Sequence, residues 1–186
     1  LHIAVKHDQG AMMKILIEAG VNIEAKNNWG QTPLHEAVIS NRHDCLEILL
    51  RSGANINVAD GRARTPLHWA AKTGHFDIIR TLIDRGADRY QYDVEGKQPI
   101  HQAAWVGHVT AIETLKADVD DLRTKTKAGE TLLHIACMIK NLELAGYLLK
   151  NNVELNAEAQ PQPTLLNSLS KFKVIGTLMT PLHYAC

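Results

Sequence analysis

The sequence predicts an all-α fold, a solenoid of stacked helix-turn-helix units with projecting β-turns, and three observations carry that expectation. Histidine recurs at a spacing of 33, at His2, His35, His68, His101 and His134, with a late copy at His183, 49 residues after His134. In every copy the residue before the histidine is Leu or Ile and the residue two after it is Ala. Thr-Pro stands directly before that leucine at Thr32-Pro33, Thr65-Pro66 and Thr180-Pro181. Threonine can cap the free backbone donors of a helix start, and proline fits the first helical position. A fixed period of this length marks a one-dimensional array, in which each unit buries its apolar face only against its neighbours.

Taken in order, residues 1–26 form a partial repeat: a first helix from Leu1, then a second carrying Met12, Met13, Ile15, Leu16 and Ile17. Gly20 ends that helix, and Gly53 and Gly86 stand in the same column, where a left-handed cap favours glycine. Residues 27–59, 60–92 and 93–125 are complete repeats, opened by Asn27 with Gly30, Asp60 with Ala63 and Asp93 with Gly96, the Asx-to-glycine signature of a β-turn. Residues 126–158 make another, 159–177 an insertion or loop, and 178–186 a truncated repeat. The helix starts at Gln98-Pro99, without the threonine, and at Thr131-Leu132, without the proline, should be less sharply fixed.

Val119 occupies the glycine column, and a β-branched residue resists the left-handed conformation. The second helix of that repeat must therefore end differently. Its outer positions look weak too, with Ala111 in place of a larger side chain and Lys116 where Ile17, Leu50, Ile83 and Leu149 stand. A soft spot is expected there, relieved by Val119→Gly if the helix end then turns left-handed. The extra residues before Thr180 carry Pro161 and Pro163, then Leu165, Leu166, Leu169 and Phe172 at helical spacing. Three readings stay open: a loop with a short docking helix, a disordered insertion, or an intron read through by mistake.

The pattern resembles the ankyrin repeat family. Thr32-Pro33-Leu34-His35, Thr65-Pro66-Leu67-His68 and Thr180-Pro181-Leu182-His183 carry the resemblance, with Gly74-His75 and Gly107-His108 between paired helices and Gly53-Ala54-Asn55 and Gly86-Ala87-Asp88 after them. It implies antiparallel helix pairs joined by outward turns, in a curved array whose concave side grips another protein. Family analogy places partner contacts at the turn tips, at the residue before the threonine and at the end of the first helix. The candidates in this sequence are Trp29, Ile39, Arg62, Arg64, Lys72, Trp105, Val106 and Met138. Large apolar groups at positions the stack need not bury point to an interface, and tryptophan and arginine are common hot-spot residues.

Twenty basic and twenty acidic residues cancel, which argues against a nucleic-acid binder. Lys26, Arg62, Arg64, Lys97, Lys125 and Lys127 nevertheless gather in the turns, while Glu18, Asp44, Glu47, Asp77, Asp84 and Glu113 lie near second helices. That segregation suggests a protein partner of acidic character. Three cysteines, Cys45, Cys137 and Cys186, have no metal-ligand spacing and leave an odd thiol, which fits a reducing compartment, cytoplasmic or nuclear. No apolar run approaches the ~18 residues of a membrane span. The chain opens at Leu1 and stops inside a repeat, as a fragment of a longer protein does.

Ten histidines invite a metal hypothesis, but six are the repeated column. Neighbouring helices lie about 8–10 Å apart, too far for successive imidazoles to share a zinc at ~2 Å from each. Their expected role is structural, each ring bonding to backbone of the adjoining turn. No nucleophile elbow, phosphate loop or Cys-x-x-Cys pair occurs, so no catalytic, cofactor or metal site is expected. The expected function is a non-catalytic protein-interaction module. The alternatives are the substrate-recruiting tract of a larger enzyme (a ubiquitin-ligase adaptor, acyltransferase or kinase) and the cytoplasmic tether of an ion channel.

Overall fold

A computed structural model describes residues 1–151 and Val153. Ten α-helices occur among the described residues: α1 (His2–Lys6), α2 (Gly10–Glu18), α3 (Pro33–Ile39), α4 (His43–Arg51), α5 (Pro66–Thr73), α6 (Phe76–Asp84), α7 (Pro99–Val106), α8 (Val109–Leu115), α9 (Leu132–Met138) and α10 (Leu142–Lys150). Each odd-numbered helix packs on the even-numbered helix that follows it and on the next odd-numbered one. The even-numbered helices form a second layer: α2 packs on α4, α6 on α8 and α8 on α10. Arg85 to Glu47 (2.5 Å) and Thr81 to His43 (3.2 Å) join α4 to α6. No strand occurs among the described residues, only an isolated bridge between Lys125 and Thr131. The postulated insertion at 159–177, the truncated repeat at 178–186 with His183, and the end of the 126–158 span lie outside the described residues.

The odd-numbered helices start as their sequences demand. Thr65 holds an extended conformation (φ −82°, ψ 168°), Pro66 takes the first helical position, and Leu67 drives into the core with no exposed surface. Burying such a leucine stabilises by about 1.5–3 kcal/mol. Gln98 and Thr131 show nearly the same angles (−85°, 167° and −89°, 168°), so losing the threonine or the proline leaves the start geometry intact. The reason is the histidine at the third helical position, which accepts the cap residue's own N–H in all these copies. α5 and α7 end on left-handed glycines, Gly74 (φ 74°) and Gly107 (φ 86°). Asp8, Asn41 and Lys140 hold the same column at φ 54–57°, so non-glycine residues take the conformation there.

In the second layer, Ile78, Ile79 and Leu82 form the buried stripe of α6, which runs nine residues before Gly86 turns left-handed at φ 88°. Its counterpart α8 stops after seven residues, at Leu115, and Lys116 is extended (φ −65°, ψ 136°). Val119 is right-handed (φ −71°, ψ −28°) and leads into a 3₁₀ turn, Asp120–Arg123, whose Leu122 is fully buried. The early end agrees with the expected effect of Val119. Two details differ from expectation. Ala111 is no outer residue: it is buried in the column of Cys45 and Ile78, a methyl where Ile78 places four carbons. Val119 lies beyond the helix rather than at its cap, so glycine there has no left-handed position to relieve. Local hydrogen bonds replace the missing cap: Arg89 Nη1 donates to Leu115 O (3.4 Å), and the Asp118 and Asp121 carboxylates accept the N–H groups of Asp120 (2.8 Å) and Ala117 (2.5 Å).

Candidate interaction surface

Two ladders rigidify the face formed by the turns and the odd-numbered helices. The first is the histidine column. Thr65 N–H donates to His68 Nδ1 at 3.1 Å, which leaves the ring proton on Nε2, and Nε2 donates to Lys97 O at 3.1 Å. His2 reaches Gln31 O (2.9 Å) and His35 reaches Arg64 O (3.0 Å), each also 29 residues onward. These rings tie repeat to repeat, as expected. His101 departs from the rule and reaches Thr124 O, 23 residues on, at 3.4 Å. Burial lowers the pKa of His35 and His68 and brings His101 down to about 4, opposed by the carbonyl each ring donates to. Neutral rings suit this role.

The second ladder runs along the turns. Asp60 Oδ1 accepts the N–H groups of Arg62 (2.8 Å) and Arg64 (3.0 Å), and Asn27 and Asp93 do the same in their own turns. Adjacent tips then bond to each other: Gly61 N–H to Trp29 O (3.0 Å), Val94 N–H to Arg62 O (3.0 Å) and Lys127 N–H to Gly96 O (2.9 Å). The approach is close enough that a Cβ on Gly30 would lie 2.5 Å from Gly61 N. Side chains on successive tips are therefore held at fixed spacing.

On this scaffold the candidate residues separate by environment. Trp29 is 72% exposed at its turn tip, Val106 is 47% exposed at the end of α7, and Lys72 is exposed one repeat earlier. Arg62 is exposed too, and pairs with Glu95 on the next tip. Arg64 is not a rim charge. Its side chain is 15% exposed, bonds to Asp60 Oδ2 at 3.0 Å and lies 4.1 Å from the centre of the Trp69 ring. Ile39 is half-buried, and Trp105 and Met138 pack partly against the core, with Lys97 Nζ 4.5 Å above the Trp105 ring. The structure thus brings Lys72, Trp105 and Val106 onto adjacent copies of one helix column, with Trp29 and Arg62 on neighbouring turn tips.

The sequence reading missed Trp69 and the side-chain bonds of Asp60 and Glu95, which shape this face. Trp69 donates its indole N–H to Asp60 Oδ2 (3.0 Å) and lies beside both Arg64 and Lys72, whose Nζ is 5.1 Å from the ring centre. Burial raises the Asp60 pKa, but the N–H groups of Arg64, Arg62 and Trp69 outweigh it and the net shift is downward. Glu95 is shared between Arg62 and Lys97 (2.9 Å), and the lysine holds its carboxyl below the usual range. The readable signal was a spacing of nine from Asp60 to Trp69, matched by Asp93 to Gln102 (2.6 Å). Most turn cations are consequently committed: Lys26 donates to Ala59 O (2.9 Å), and Lys127 lies 5.3 Å from the Tyr92 ring. Lys72 has no carboxylate partner among the described residues. Nor does any group of three His, Cys, Asp or Glu side chains among them suit a metal ion, and no described helix is long and apolar enough to cross a membrane.

Stacked helix pairs, a histidine tying each to the next and a ladder of projecting turns define a helical repeat protein with one variable face. A family model for three-copy ankyrin repeats matches residues 1–60 and again 58–123, and a single ankyrin-repeat model matches 128–157, so the chain belongs to the ankyrin repeat family. No curated protein matches it. Ankyrin repeats are generally protein–protein interaction modules and typically non-catalytic.

Proposed function

We propose that this chain is a non-catalytic module that holds another protein, of acidic character, against its turn-and-first-helix face, the concave side in this family. One observation carries the reading: where the repeats agree, polar side chains are consumed in the two ladders, and where they differ, Trp29, Lys72 and Val106 stay exposed on one face. Trp105 forms its centre, half-buried so that its indole is already ordered before a partner arrives. Ordered aromatic anchors surrounded by exposed rim residues are the usual seat of binding energy. Arg62 supplies a rim charge, and Arg64 braces Trp69 from beneath. An intracellular location, cytoplasmic or nuclear, goes with this reading.

The test is site-specific photo-crosslinking in cells. A photoreactive residue at Lys72 or Val106 should give a protein adduct that Trp29→Ala reduces by about tenfold without lowering the melting temperature, the pattern of an exposed hot spot. Adducts formed from Arg80 and Glu113 on the even-numbered helices, with none from Lys72 or Val106, would place the interface on the other layer.

A further inference from the structure

We infer that the partner presents a carboxylate oxygen to the indole N–H of Trp105. The inference rests on the binding face proposed above and adds the chemistry of the group that meets its centre. Two tryptophans in adjacent repeats differ in what their indole N–H groups meet. Trp69 Nε1 donates to Asp60 Oδ2 at 3.0 Å. In the next repeat the equivalent oxygen, Asp93 Oδ2, is taken by Gln102 Nε2 at 2.6 Å. Trp105, one turn further along α7, has no such acceptor, and its Nε1 is buried without a partner. A buried donor left unpaired carries its full desolvation penalty, and native structures keep few of them. Where one sits under an exposed rim, an arriving acceptor removes the penalty.

The surrounding charge selects an anionic acceptor. Lys97 Nζ lies over the Trp105 ring, and Lys97 shares the single Glu95 carboxylate with Arg62. Lys72, at the position of Trp105 one repeat earlier, is exposed and has no carboxylate. Two cations thus share one carboxylate, and a third, Lys72, meets the Trp69 ring but no carboxylate. The long lysine stem gives way easily, so Lys97 can swing off the indole face and meet the incoming carboxylate itself. The internal rival is Glu130, a buried carboxyl that also feels Lys97, but its Oε2 accepts from the Thr126 hydroxyl at 3.4 Å and neither oxygen is bonded to the indole. Val106 offers an apolar contact beside the indole. The occupant this describes is an extended protein segment bearing an Asp or Glu next to an apolar residue.

The experiment follows the indole protons by ¹⁵N NMR in the full chain. The probe is a capped peptide of glutamates interspersed with leucines, with a glutamine-for-glutamate peptide as neutral control. The acidic peptide should move the Trp105 indole proton downfield and slow its exchange, while that of Trp69, already bonded to Asp60, stays in place. Trp105→Phe, which keeps an aromatic ring and removes the donor, should weaken the acidic peptide by about tenfold and leave the neutral one unchanged. Equal shifts with both peptides, or affinity unaltered by Trp105→Phe, would overturn the inference and leave the face's role standing. So would an indole proton that is hydrogen-bonded in the free chain and loses that bond in Glu130→Gln. Failure of the acidic peptide to bind while Lys72 and Val106 still cross-link also refutes the carboxylate; adducts from Arg80 and Glu113 alone defeat the underlying reading.

Discussion

Repeats 60–92 and 93–125 share the construction of their first halves and part company in their second. α5 and α7 are both eight residues long, start from caps whose angles agree within a few degrees, and end on left-handed glycines. α6 then runs nine residues to the Gly86 turn, whereas α8 stops after seven and yields to an extended residue and a 3₁₀ turn. The first helix is held from both sides, by its own cap and by the downstream carbonyl its histidine reaches. The second helix of repeat 60–92 ends ahead of a left-handed glycine, and where Val119 stands in that column the chain instead passes through extended Lys116 and the 3₁₀ turn. The rerouting costs a tie between repeats: His68 reaches the carbonyl of Lys97 in the following repeat, but His101 settles on Thr124 of its own repeat at a longer distance.

The largest test of this comparison removes the two histidines in turn. His68→Ala leaves a buried Thr65 N–H and the Lys97 carbonyl unpaired and opens a cavity, which should cost about 2–4 kcal/mol. His101→Ala gives up a longer bond into the rerouted segment and should cost about 1 kcal/mol less. Urea unfolding of both variants measures this. Equal losses would mean that the difference between 3.1 Å and 3.4 Å has no energetic content.

Acid separates the same two repeats by pH. The buried histidines have lowered pKa values, so below the unfolded value of 6.5 the unfolded chain binds protons that the folded chain does not. Stability therefore falls as pH drops from 6.5, and for His101 the loss continues down to about 4. Each such histidine adds a slope of up to about 1.4 kcal/mol per pH unit. Asp60 acts in a lower window, because its folded pKa is depressed below 3.8 and its contribution is lost only as pH falls through that folded value. His101→Gln should flatten the stability curve between pH 6.5 and 4, and Asp60→Asn should change it below pH 4. A His101→Gln curve parallel to that of the parent chain would show that His101 is protonated in the folded state.

What the sequence made legible was whatever packing repeats. His68, Leu67, Ala70 and Gly86 announced themselves because the same contact recurs every 33 residues, and the structure uses them as the period implies. Val119 was legible as an exception for the same reason. Trp69 was not, nor were the side-chain partners of Asp60 and Glu95, because those bonds join one residue of a repeat to another that changes from copy to copy. Arg64 counts as a candidate contact because a turn position marks a side chain as near solvent, yet the bond to Asp60 and the Trp69 ring fold it inward. Trp105 carries the same lesson: an indole absent from other copies still finds core to pack against.

The smallest effect puts the comparison into one type of substitution with opposite signs. Ala63, in repeat 60–92, occupies the turn column that Gly30, Gly96 and Gly129 fill, and it is left-handed at φ 56°. An L-residue pays a steric penalty there of about 1–2 kcal/mol, partly offset because glycine has more freedom to lose on folding. Ala63→Gly should therefore stabilise by about 0.5–1 kcal/mol. Val119, in repeat 93–125, is right-handed at φ −71° and 45% exposed, so glycine relieves nothing there and only loosens the unfolded chain. Val119→Gly should destabilise by about 0.5–1 kcal/mol. Denaturation midpoints of the two variants decide the matter. A stabilising Val119→Gly would mean that glycine lets α8 run on to a left-handed end like that of α6, and the residue in the glycine column would then by itself account for the contrast between the two repeats.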